Sequence, residues 1–110
     1  MKAAVLTTPG AIADQPLAVM EVRDPEPAPG YVVLRVRACG VCRTDLHVVE
    51  GELPPVRERV IPGHQIVGEV VTGATADLPI GARVGVSWLG GTDGTCPYCV
   101  RGEENLCDTP

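Results

Sequence analysis

The sequence predicts a mainly β domain, a small barrel or sandwich of short strands with a few short helices and a cysteine-rich lobe towards its C-terminal end. Three observations carry that prediction. Val is abundant while aromatics are few (Trp88, Tyr31, Tyr98 and no Phe), which leaves an aliphatic, β-branched core suited to strands. Eleven Pro and 13 Gly among 110 residues interrupt any long periodic run. Apolar residues recur with a period of two in several short segments, and many short strands with little helix indicate a barrel or sandwich.

Taken in order, Lys2 to Leu6 and Leu17 to Val22 read as strands joined through a Pro9-Gly10 turn. Asp24-Pro-Glu-Pro-Ala-Pro-Gly30 is a proline-rich loop without helix potential. Val32 to Ala38 sets Val32, Leu34, Val36 and Ala38 against Val33, Arg35 and Arg37, the pattern of a strand with one buried face. Arg43 to Val49 forms a short helix, with Leu46 and Val49 on one face and Gly51 as its stop. Gln65 to Thr72 and Arg83 to Trp88 supply two further Val-rich strands, separated by turn material that includes Leu78-Pro-Ile-Gly81. Arg57-Glu-Arg59 is a solvated loop. There is no internal repeat and no low-complexity tract.

Length and charge narrow the function. A single domain of this size is expected to bury roughly 65% of its unfolded surface. No apolar run approaches the ~20 residues needed to span a bilayer, and Met1-Lys2 leads into a strand instead of a signal peptide, so a cytoplasmic protein without membrane contact is expected. A net charge of −5 with dispersed Lys and Arg argues against nucleic acid as a partner. Five cysteines, an odd number that includes two Cys-x-x-Cys pairs, suit metal binding in a reducing compartment better than a disulfide framework.

Asp93-Gly-Thr-Cys96-Pro-Tyr-Cys99, with Cys107 beyond it, places three thiols and a carboxylate at metal-knuckle spacing. A Cys-x-x-Cys turn lets two thiolates converge on one tetrahedral zinc, and a longer loop returns a further ligand. A redox dithiol is the competing reading, but it belongs near a strand-to-helix pattern and has no need of Cys107. A two-knuckle ribbon built from Cys39, Cys42, Cys96 and Cys99 is disfavoured by the several strands between the pairs. Cys39 reads as a small buried residue at a strand end. Cys42-Arg-Thr-Asp-Leu-His47 follows one strand and Pro62-Gly-His64-Gln65 precedes another, so a thiol and an imidazole converge from two loops. Standing alone, His64 is a turn histidine, Thr44 a helix cap, Asp45 a first-turn carboxylate and His47 a solvated helix residue.

In order along the chain, Met1-Lys-Ala-Ala-Val, Pro29-Gly-Tyr-Val-Val-Leu-Arg-Val, Gly40-Val-Cys-Arg-Thr-Asp-Leu-His, Pro62-Gly-His-Gln-Ile-Val-Gly-Glu-Val, Val84-Gly-Val-Ser-Trp-Leu and Gly102-Glu-Glu-Asn-Leu-Cys107 resemble the zinc-dependent alcohol dehydrogenases of the medium-chain dehydrogenase/reductase family. The resemblance covers residues 1–110 as one domain. It implies the GroES-like fold, a partly open β-barrel with short helices and a zinc lobe. It also implies that Cys42 and His64 are two of three protein ligands of a catalytic zinc, the third lying beyond Pro110 together with a C-terminal Rossmann domain for NAD or NADP. Asp45 would accept a hydrogen bond from the other nitrogen of His64. Thr44 resembles the hydroxyl that binds the alcohol proton, His47 the outer member of a relay through the cofactor ribose, and Arg43 the cation that reaches the cofactor pyrophosphate. Trp88 and Leu89 resemble pocket-lining residues.

Asp93, Cys96, Cys99 and Cys107 would hold a structural zinc, with Asp93 where the family usually carries Cys. A hard carboxylate there weakens the site relative to four thiolates. Gln65 stands where most relatives place a Glu, which forbids an anionic ligand exchange at that position. The resemblance thus implies a catalytic-domain fragment that acts on an alcohol or aldehyde, is inactive alone, and belongs to a homo-oligomeric full-length enzyme. From a different class, the alternative is a stand-alone GroES-like module whose lobe is a structural staple or interaction surface.

Overall fold

A computed structural model describes residues 1–53 and 57–110. The chain runs through β1 (Lys2–Leu6), β2 (Leu17–Glu21), β3 (Val33–Gly40), α1 (Arg43–Glu50), β4 (Gln65–Thr72), β5 (Arg83–Val86) and α2 (Pro97–Val100), with 3₁₀ turns at Ile12–Asp14 and Glu104–Leu106. β1 and β2 form an antiparallel pair in register from Lys2↔Glu21 to Leu6↔Leu17. β3, β4 and β5 form a second antiparallel sheet in that spatial order. Leu6 also exchanges backbone hydrogen bonds with Val60, in the segment before β4, at 2.8 and 3.1 Å. Among the described residues no ladder closes the sheets on each other, so the barrel is partly open.

The strand limits agree with the sequence reading to within two residues, and the α2 turn inside the cysteine lobe is an addition to it. Gly51 ends α1 in the left-handed conformation at φ 83, its N–H returning to the Val48 carbonyl. That end of the helix docks on the β1–β2 connection, where Gly10 N–H reaches the Val49 carbonyl at 3.0 Å. A side chain at Gly51 would meet Pro9 at 2.9 Å, so this close approach needs glycine for space as well as for φ.

Two expectations fail. β3 has no continuous buried face: Val36 is 57% exposed and Cys39, expected inside, is also exposed. Register shifts between Val33 and Leu34 and between Val36 and Ala38 break the alternation that the sequence pattern assumes. The core is correspondingly small, with Val5, Leu6, Val49 and Val70 buried beside Cys96 and Cys99 of the lobe. The surface of 7938 Å² for 11.5 kDa corresponds to roughly half of the unfolded surface being buried, below the ~65% expected of this size. A radius of gyration of 15.7 Å, against about 13 Å for a compact domain of this length, describes the same open shape.

Candidate metal centres

The antiparallel pairing of β3 with β4 sets Gly40 opposite Gln65. The segment leaving β3 and the segment entering β4 therefore lie at the same end of the sheet. Cys42 is two residues past that pair and His64 one residue before it. Residues 22 apart in sequence meet there, with Cys42 Sγ 3.2 Å from His64 Nε2. The turn into β4 is tight: Gly63 sits at φ 130, and a Cβ on it would lie 2.7 Å from Cys39 Sγ.

Cys42 is the N-cap of α1, and its sulfur accepts the Thr44 N–H at 3.3 Å. Asp45 completes a capping box by accepting the Cys42 N–H on Oδ2 at 2.9 Å. Its Oδ1 faces His64 Nδ1 at 3.0 Å. That contact assigns the proton to Nδ1 and leaves the Nε2 lone pair turned towards the Cys42 sulfur. Asp45 is 7% exposed, and every buried side-chain polar atom among the described residues has a partner. Asp45 orients the other two groups, one through each oxygen, and its carboxylate lies within 4.8 Å of their ligand atoms. The donor pair of Cys42 and His64, one sulfur and one imidazole nitrogen, has the borderline-soft chemistry that zinc prefers.

His64 packs edge-on against Trp88, with ring centroids 5.0 Å apart and planes at 83°. Beside them opens a cavity of about 410 Å³ whose wall includes Asp45, Leu53, Ile61, His64, Val86 and Trp88. Leu89 is not part of that wall. The Gln65 side chain lies against Gly40, where an added Cβ would lie 2.6 Å from its Oε1. Arg43 is exposed and Thr44 half-buried on the first turn of α1. Further along the helix, His47 pairs through Nδ1 with the Glu52 carboxylate. No hydrogen bond joins Thr44 to His47 among the described residues. Glu52 escaped the sequence reading because it lies past Gly51, outside the helical spacing that relates the other members.

The lobe gathers Asp93, Cys96, Cys99 and Cys107 with their ligand atoms within 4.8 Å of one another. Four ligands at 2.0–2.3 Å around a tetrahedral zinc lie about 3.3–3.8 Å apart, so a small contraction suffices. Two devices shape it. Cys96 caps α2, with Pro97 in the first turn and the Cys99 N–H directed at its sulfur at 3.5 Å. Asp93 Oδ1 accepts the N–H groups of Thr95 and Cys96 at 2.8 and 2.9 Å, and Oδ2 accepts the Thr109 hydroxyl at 2.8 Å.

Those three donors, Cys96 N–H first, hold the Asp93 carboxyl well below the usual carboxylate range. Backbone N–H groups of Cys99 and Asp108 lower the Cys96 thiol. Burial, then the neighbouring Cys96 and Cys107 sulfurs, pushes Cys99 up to about 12. The four donors fit one zinc. Thr109 was not singled out from the sequence, although its place two residues beyond Cys107 is the signal that would have found it.

Residues 28–110 match the sequence family described as the Alcohol dehydrogenase GroES-like domain. Among curated proteins the chain is 52% identical to the probable alcohol dehydrogenase AdhA of Mycobacterium tuberculosis, over 97% of this chain and 33% of that one. It is 45% identical to an alcohol dehydrogenase of Geobacillus stearothermophilus, over 98% of this chain and 32% of the relative. The chain thus spans about a third of the length of these curated relatives. A cobalt- and zinc-bound thermostable alcohol dehydrogenase from Pyrobaculum aerophilum superposes with a TM-score of 0.84 at 32% identity, covering 98% of this chain and 32% of the other. A Sinorhizobium meliloti structure described as a zinc-binding dehydrogenase bound to NADP gives a TM-score of 0.73 at 37% identity, covering 97% and 30%.

Proposed function

This chain belongs to the alcohol dehydrogenase GroES-like domain family, and on that premise we propose that it is the catalytic domain of a zinc-dependent alcohol dehydrogenase, transferring hydride between an alcohol and NAD or NADP. The observation that carries the reading is the Cys42–His64 pair, held 3.2 Å apart by one buried carboxylate at the wall of an apolar cavity. Zinc bound by Cys42, His64 and a ligand from outside this pair supplies a Lewis acid for the alcohol oxygen. The Asp45 carboxylate keeps His64 in the tautomer whose Nε2 is free to ligate. The Thr44 hydroxyl takes the hydrogen bond of the alcohol proton, and His47 passes that proton outward, its Nδ1 held by Glu52. Arg43, exposed at the head of α1, would bind the cofactor pyrophosphate. Leu53, Ile61, Val86 and Trp88 receive the carbon skeleton of the alcohol or aldehyde and exclude water from it.

Asp93, Cys96, Cys99 and Cys107, whose ligand atoms lie within 4.8 Å of one another, would hold a second, structural zinc in the lobe. A cofactor-binding domain is the proposed partner of this domain, which would not turn over without one. A homo-oligomer in the cytoplasm is the proposed setting of the full-length protein. Five unpaired cysteines accord with a reducing compartment, and no helix among the described residues is long and apolar enough to cross a membrane.

The test joins the chain to the cofactor-binding domain of a relative. Alcohol-dependent reduction of NAD or NADP is expected, with loss of activity and of one zinc per chain in Cys42→Ala and in His64→Ala. A fusion that binds zinc through both residues yet moves no hydride in either direction refutes the assignment.

A further inference from the structure

Asp93 stands where the family's lobe usually has a cysteine, and its carboxylate is already committed on most sides. A carboxylate offers about four lone-pair directions, two on each oxygen. Oδ1 has spent both, on the Thr95 N–H at 2.8 Å and the Cys96 N–H at 2.9 Å. Oδ2 has spent one, on the Thr109 hydroxyl at 2.8 Å. One acceptor direction therefore remains, on Oδ2. A bidentate mode is excluded, because a second bond to a metal would displace one of the N–H groups that form the knuckle.

Thr109 acts on a second ligand as well. Its backbone N–H points at Cys107 Sγ at 3.4 Å, and the Asp93 N–H points at the same sulfur from the other side, also at 3.4 Å. One residue thus touches two of the four donors, through its hydroxyl and through its main chain. Cys96 and Cys99 are tied together separately by the α2 turn. Thr109 ties Cys107 to the Asp93 side chain, beside the Asp93 N–H that reaches the Cys107 sulfur directly and the Cys96 N–H that joins Asp93 to the α2 turn.

We propose that Thr109 is a positioning residue of the lobe, which fixes Asp93 Oδ2 as a monodentate oxygen donor while its N–H orients the Cys107 sulfur. This rests on the reading of the lobe as a metal centre. The hydroxyl does for a ligating carboxylate what hydrogen-bonded partners do for other metal ligands, where loss of the partner typically costs 10–100-fold in metal affinity. Valine has the shape of threonine without the hydroxyl and keeps the backbone N–H, so Thr109→Val isolates the bond to Oδ2 from the bond to Cys107.

The test uses the full chain in a Cys42→Ala background, so that the spectroscopic signal comes from the lobe alone. Cobalt(II) is titrated against a chelator, following the thiolate charge-transfer band and the d–d bands. Thr109→Val is expected to weaken cobalt binding about tenfold and to move the d–d bands while the charge-transfer intensity, set by three sulfurs, stays. Thr109→Ser is expected to restore both. Far-UV circular dichroism of the metal-free forms monitors folding, and the Ser variant, which keeps the hydroxyl, carries the test if the Val variant does not fold. Affinity in Thr109→Val within twofold of its parent, or a Ser variant that is as impaired as the Val variant, overturns the proposal alone. A parent chain whose cobalt uptake is not lost in Cys96→Ser/Cys99→Ser overturns the metal reading of the lobe, and the role of Thr109 with it.

Discussion

Asp45 holds His64 through a 3.0 Å hydrogen bond from Nδ1 to Oδ1 while its other oxygen already accepts the Cys42 N–H. One carboxylate thereby caps a helix and aims an imidazole. The helix cannot lose its cap without releasing the histidine, so the local fold and the metal pair share one interaction.

Asp45→Ala strands two donors, the Cys42 N–H and the His64 Nδ1–H. Unpaired buried donors cost about 1–3 kcal/mol each, and a lost cap about 1 kcal/mol. We expect a loss of about 2–4 kcal/mol in urea unfolding of the metal-free chain. Asp45→Asn retains one acceptor oxygen, cannot satisfy both N–H groups, and should fall between. Equal stability of the Asn and Asp forms would contradict this account.

Gly63→Ala tests the turn that presents His64. At φ 130 an L side chain is strained, and the new Cβ would lie 2.7 Å from Cys39 Sγ. A cost of about 1–3 kcal/mol is expected. Combining it with Cys39→Ala relieves the collision and leaves the backbone strain, so a double-mutant cycle should return a coupling of at least about 0.5 kcal/mol. Strict additivity would mean that the sulfur gives way freely.

Glu69 sets an acid-side dependence of stability. Arg37 first, then Arg83, holds its carboxyl below the ordinary value. A folded value below the unfolded one means that the stabilisation is present above the unfolded carboxylate range and is lost as pH falls through the folded value. Glu69→Gln should therefore lower the melting temperature at neutral pH and low salt, and make no difference under strongly acidic conditions. Salt should shrink the effect, because both arginines are half-exposed or more. A difference that does not change with pH would remove the ion pairs from the explanation.

Removing metal should loosen the lobe specifically. A ligand at about a hundred times its dissociation constant adds roughly 2.7 kcal/mol to stability. Zinc should raise the melting temperature of the native chain and a chelator should reverse the gain. In Cys42→Ala/Cys96→Ser/Cys99→Ser neither addition should matter. A zinc effect that survives in that variant would place the metal elsewhere.

The sequence was legible where chemistry is local. The knuckle spacing of Asp93, Cys96, Cys99 and Cys107 and the stop at Gly51 follow from turn and helix geometry over a few residues, and the structure brings each to its place. Cys42 and His64 were legible as a pair only through the ordered set of matching motifs, because their meeting depends on the long-range register of β3 and β4. Glu52 was missed because it acts through a contact that no periodicity announces, and Thr109 because only its place two residues beyond Cys107 pointed to it. The exposure of Cys39 was misjudged because register shifts interrupt the β3–β4 ladder, one of them at Arg37 within β3, and a bulge leaves almost no trace in an alternating Val and Arg pattern.

Those bulges also bear on solubility. β3 lies at one edge of its sheet and shows solvent a row of unpaired backbone groups, the template on which a foreign strand can grow. Arg37 is held by Glu69 of the neighbouring strand, so the protection comes from the two register shifts, which break the flat geometry that fibril growth requires. A chain with so slender a core, and so much valine at its surface, would gain from an edge whose ladder is broken in this way.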